Sequence, residues 1–147
     1  MSVSSDFEKF GGSYLISDKN YERYIDGQEN IGRSDGQFMI PSNQMDDLLA
    51  NYPDNSREWE NQLGLDENSL GDDNIHRVDV NNPMDYNPRL PTSDLSGSND
   101  KFIEGGHTPG GQDECVIDSF PNPEVTPEVG KISTLDNGMD YYDGMGY

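Results

Sequence analysis

Apolar residues recur at helical spacing most clearly in "PSNQMDDLLANYP", where Met45, Leu48, Leu49 and Tyr52 stand at i, i+3, i+4 and i+7. That spacing draws one apolar stripe along a helix. Ser42 is placed to cap it, Asp46 and Asp47 suit the positive end of its dipole, and Pro53 ends it. A second short helix is predicted over "SREWENQLGL", with Ser56 as cap, Trp59 and Leu63 on one face and Gly64 as stop. A third follows Ser17 or Asp18, with Tyr21, Tyr24 and Ile25 on its apolar face and Gly27 at its end.

Alternation with period two marks the best strand. "IHRVDV" at 75–80 sets Val78 and Val80 against Arg77 and Asp79. "ECVID" is a second clear strand, and "SYLIS" at 13–17, Phe38 to Ile40 and "VGKISTL" supply three more. Residues 1–12 read as a loose polar start, "NNPMDYNPRLP" as a proline-punctuated extended loop, and residues 136–147 as a flexible acidic tail with no period. Helices and strands are mixed without a regular βαβ alternation. The expected class is therefore α+β: one small domain over 1–135, with short helices on a small, mostly antiparallel sheet and long loops.

Charge changes the picture more than size does. Nine basic residues face 29 acidic ones, a net charge of −20 over 147 residues. Such a field repels phosphate, which argues against direct binding to nucleic acid and for a basic protein partner or cations. Only 31% of the residues are hydrophobic, close to the range of disordered chains, yet one Trp, eight Tyr and five Phe suffice for a small core. No apolar run is long enough to cross a bilayer, so no membrane partner is expected. The single cysteine, Cys115, leaves no internal disulfide and no cysteine-based zinc site, which suggests a reducing compartment such as the cytoplasm of a bacterium or of a phage-infected cell.

The candidate chemistry gathers in "GGHTPGGQDECVID", residues 105–118. Gln112 and Glu114 are two apart at the entry to a strand and should face the same way. A carboxylate held there can accept hydrogen bonds from ribose hydroxyls and stabilise an oxocarbenium-like centre as a glycosidic bond to nicotinamide breaks. Arg33, in "IGRSDGQF", offers a fork for a pyrophosphate, with Arg77 as the other candidate. Ser96 and Asn99, in "PTSDLSGSND", and His107 complete a set of substrate-binding candidates. No metal site is expected. Glycine-bearing segments at 32–36, 97–99 and 105–111 flank predicted strands, and loops beside strand ends commonly build small-ligand sites.

Each of these has a plainer reading. Glu114 is one of 29 acids and can sit on a solvated edge. His107 is a candidate general base of a nuclease beside a carboxylate-held cation, but −20 of net charge opposes approach to phosphates. His76 reads as a structural surface residue. The acid pairs Asp46-Asp47, Asp66-Glu67 and Asp72-Asp73 lack the oxygen-ligand spacing of a calcium loop and read as solvated, although together they mimic the charge of a nucleic-acid backbone.

The order Arg33, then Ser96, then Gln112-x-Glu114 is the order of one class of ADP-ribosyltransferase folds. The succession "GRSDGQFMIP", "WENQLGL", "RVDVNNP", "RLPTSDLSGSND" and "GGHTPGGQDECVID" resembles the C-terminal effector domains of bacterial polymorphic toxins, over roughly residues 30–120. Such domains also occur appended to phage- and mobile-element-derived proteins. The resemblance implies a small α+β module, NAD as substrate for ADP-ribosyl transfer or glycohydrolysis, and a cognate immunity protein as partner. The chain departs from that setting in starting at Met1 without a carrier and in its acidity. A free-standing acidic protein of a phage or mobile element that inhibits a host factor by charge mimicry is the alternative.

Overall fold

A computed structural model describes residues 2–135. The expected tail, residues 136–147, lies outside the described residues. The α+β class holds: four helices surround a five-stranded antiparallel sheet, and two short strands pair beside it. The strands are β1 (Gly12–Ser17), β2 (Asn30–Ile31), β3 (Gln37–Pro41), β4 (Ile75–Val80), β5 (Cys115–Ile117), β6 (Phe120–Pro121) and β7 (Gly130–Leu135). The main sheet runs β5-β3-β1-β4-β7, and β2 pairs with β6.

Both faces of the main sheet are covered, so two cores form. One face presents Tyr14, Met39, Val78, Val80, Cys115 and Ile117, packed by Phe7, Ile25, Ile31 and Phe120. The other presents Leu15, Ile40 and Ile75, packed by Met45, Leu48, Trp59 and Leu70. Successive residues of β1, such as Tyr14 and Leu15, thus enter different cores, as the pleat requires.

The helices are α1 (Asp6–Phe10), α2 (Asp18–Tyr24), α3 (Ser42–Asn51) and α4 (Ser56–Leu63). Helix α1 corrects the reading of 1–12 as loose. Phe7 is fully buried, and Asp6 accepts from Gln44 at 3.2 Å and Asn43 at 3.4 Å on α3. Five residues with one anchor carry no detectable period. Helix α2 is capped by Ser17, whose Oγ accepts from Asn20 N at 3.1 Å, but Tyr24 is exposed, not on a buried face. His76, expected at the surface, is buried: it stacks on Tyr21 at 4.0 Å and meets Asp18 at 2.8 Å.

Helices α3 and α4 follow the apolar stripes, but each cap is shifted by one residue. Pro41 precedes α3, and Ser42 is its first residue, its Oγ bonded to Ser13 Oγ at 2.7 Å. Asn55 caps α4 by accepting from Glu58 N at 3.2 Å, and Ser56 lies inside. Gly64 stops α4 with φ 74°, as expected. Beyond it, buried Glu60 accepts from Asn68 N at 2.8 Å and Leu70 N at 3.0 Å, which fixes the loop leading into β4. Among the described residues no helix is long and apolar enough to cross a membrane.

Candidate functional site

The sheet is split at its centre. β1 pairs with β4 along its whole length, and β3 pairs with β5 through Gln37, Phe38 and Met39. Between themselves β1 and β3 pair only at Gly12↔Pro41 and Ser13↔Ile40. Past that point each strand is held on its outer side alone and the two part. The split opens into a cavity of about 720 Å³, lined by Tyr14 to Ser17 on one side and Gln37 to Ile40 on the other. That is the size range of small-molecule sites.

Glu114 stands on the β5 side of this cavity. It directly precedes Cys115, where the β3–β5 pairing ends, and lines the cavity together with Phe38 and Ile40. Its N–H donates to Gly106 O at 2.8 Å, tying it to the glycine loop. Among the described residues its carboxyl makes no hydrogen bond or ion pair. Burial pushes its pKa up to about 7, so a proton is gained or lost there near neutrality. Cys115, the next residue, turns to the opposite core and is fully buried.

Arg33 lies at the mouth, in the turn between β2 and β3, and lines the same cavity. Its charge offsets part of the burial that raises the Tyr14 hydroxyl well above the ordinary tyrosine range. Arg77, the other arginine candidate, is elsewhere: it pairs with Asp46 and Asp79, each at 2.8 Å, on the helix-covered face.

Ser96, Asn99 and His107 also line the cavity, each already engaged. Ser96 donates to Asp35 from both its N–H at 2.7 Å and its Oγ at 2.8 Å. Asn99 donates to Gly64 O at 2.9 Å and accepts from Lys101 N at 2.8 Å. His107 faces Asp113 at 3.2 Å with its side chain 57% exposed. Gln112 points elsewhere. Its Oε1 accepts from Thr108 Oγ1, and its Nε2 donates to Gln62 Oε1 at 3.3 Å, so it docks the glycine loop on α4. The Gln-x-Glu pair is therefore divided between a loop anchor and a cavity carboxyl.

Sequence reading missed Phe38, Lys101 and Phe102 as cavity residues. Phe38 and Phe102 meet edge to face at 6.4 Å, and Lys101 Nζ donates to Leu65 O at 2.8 Å. The segment around Gly97 comes so close that a Cβ there would stand 2.8 Å from the Phe38 ring. The Phe38 contacts join a strand to an aperiodic loop some sixty residues away, which no local pattern signals. The acid pairs are exposed as expected, with Asp46 held by Arg77 and Asp72 by Arg57 at 3.4 Å. Compared with known proteins, the chain matches no family model and no curated sequence.

Proposed function

We propose that the protein is a toxin-like effector domain that binds a nucleotide such as NAD in the split of its sheet and cleaves the bond to nicotinamide, by glycohydrolysis or ADP-ribosyl transfer. The observation that carries this reading is that Arg33 and Glu114, 81 positions apart in sequence, both line one cavity of about 720 Å³. Arg33 and Lys101 supply positive charge for a pyrophosphate within a strongly acidic molecule. Phe38 and Phe102 supply apolar surface for a planar ring.

In this reading Glu114 is the catalytic residue. As a carboxylate it accepts from ribose hydroxyls and stabilises the positive charge that develops at the anomeric carbon as nicotinamide leaves. Its partly buried setting strengthens that interaction, because less water competes for the charge. Incubation with NAD should release nicotinamide, and Glu114→Gln should abolish release while leaving the fold intact. No release from the wild-type protein removes the enzyme reading.

The net charge of −20 favours a second reading, an acidic inhibitor that mimics nucleic-acid charge on a basic partner. It requires a stoichiometric, salt-sensitive complex without turnover. A cognate immunity protein would instead be expected to cover the cavity mouth.

A further inference from the structure

The segment from Thr92 to Ile103 crosses the cavity as a strap without helix or strand. At its far end Asn99 and Lys101 hold it to the carbonyls that follow α4, Gly64 O and Leu65 O. At its near end the side-chain anchor is Asp35, which takes both the N–H and the hydroxyl of Ser96. Asp35 belongs to the same turn as Arg33, and that turn is itself fixed. Gly36 N donates to Arg33 O at 3.2 Å, and Arg89 donates to Asp35 O at 3.2 Å while pairing with Asp118 at 2.9 Å. The Asp35 side chain does not line the cavity, whereas Arg33, Ser34, Ser96 and Gly97 do.

We propose that Asp35 is a positioning residue for the anion-binding mouth of this cavity: its bidentate grip on Ser96 clamps the strap against the turn that carries Arg33. This rests on the nucleotide reading above and deepens it, because it assigns the fixed spacing between Arg33 and Ser96 to a group that never touches the ligand. The two Ser96 donors also hold the Asp35 carboxyl below the usual aspartate range, so the clamp stays ionised across the neutral range. The chemistry yields an unusual sign. An acid two residues from Arg33 opposes an incoming phosphate, so if charge alone mattered its removal would tighten binding of an anion. If it clamps, removal loosens the mouth and weakens binding.

The test uses ADP-ribose as probe, with binding followed by calorimetry and amide hydrogen exchange followed across 92–103, for the wild type, Asp35→Ala and Asp35→Asn. Asp35→Ala removes two hydrogen bonds and should weaken ADP-ribose binding about tenfold and speed exchange at Ser96. Asp35→Asn can accept from Ser96 N through Oδ1 and donate to Ser96 Oγ through Nδ2. It should bind within about threefold of the wild type, since the geometry survives without the charge. Binding by Asp35→Ala as tight as the wild type, or tighter, overturns the clamp, as does unchanged exchange in the strap. No ADP-ribose binding by the wild type overturns the nucleotide reading instead, and the exchange comparison still decides whether Asp35 holds the strap.

Discussion

At Glu114, burial raises the pKa to about 7 while the carboxyl finds no partner among the described residues. Two consequences of opposite sign follow. In the proposed reaction the ionised form is the one required, so nicotinamide release should climb with pH up to about 7 and level off above it. A rate that falls across that range would contradict the assigned role. Stability runs the other way. A folded pKa above the ordinary value of 4.5 means that the folded state prefers the neutral acid. The contribution is complete below the unfolded pKa and is lost as pH rises through the folded one. Glu114→Gln should therefore match the wild type near pH 4 and exceed its stability at pH 8, by about 2 kcal/mol once partial exposure is allowed for. Thermal melts of both proteins at the two pH values check this. The other charged candidate, Arg33, is exposed at the mouth, and its replacement by alanine should weaken ligand binding with little effect on melting.

At the scale of elements, helix α4 shows most directly how the chain specifies its fold. Trp59 is 2% exposed, and its Nε1 donates to Tyr52 O at 2.7 Å, at the end of α3. One side chain thus fills the core and closes the α3–α4 corner. Trp59→Ala should cost about 3–5 kcal/mol, read from denaturant unfolding; an unchanged unfolding midpoint would show that the corner closes by other means. Elements of this kind were legible because their apolar residues repeat at a fixed spacing. Strand β4 and the helices carrying Met45, Leu48 and Trp59 announce themselves that way, while β1, β3 and β5 show as short consecutive apolar runs. What stayed hidden depends on single contacts. Helix α1 buries a single residue, Phe7, and the caps of α3 and α4 fall one residue away because Ser42 bonds Ser13 and Asn55 accepts from Glu58. The site divides on the same line. Glycine clusters and a Gln-x-Glu pair at the entry to a strand pointed to Glu114. The roles of Asp35, Phe38 and Phe102 arise from the path of the strap across the split sheet, and Gln112 serves a loop because Thr108 and Gln62 engage it.

At the scale of the whole molecule, a chain of net charge −20 holds a cavity lined by Arg33 and Lys101. The two scales of charge act on an incoming ligand over different distances. Exposed charges are screened over about 10 Å at 0.1 M salt and about 30 Å at 0.01 M, so at low salt an approaching anion meets the repulsion of the entire surface before it reaches Arg33. Adding salt removes the long-range repulsion first and leaves most of the contact attraction, which acts within a few ångströms. The association rate of ADP-ribose should therefore rise between about 0.01 and 0.15 M salt, measured by stopped-flow at constant pH. A basic protein partner obeys the reverse rule: the acidic surface steers it inward, and its association should slow steeply over the same range. The two readings thus predict salt effects of opposite direction, each for its own ligand. An ADP-ribose rate that falls with salt would mean that the local field of Arg33 and Lys101 extends beyond the mouth and outweighs the surface. The surface acids would then have to be turned away from the approach path.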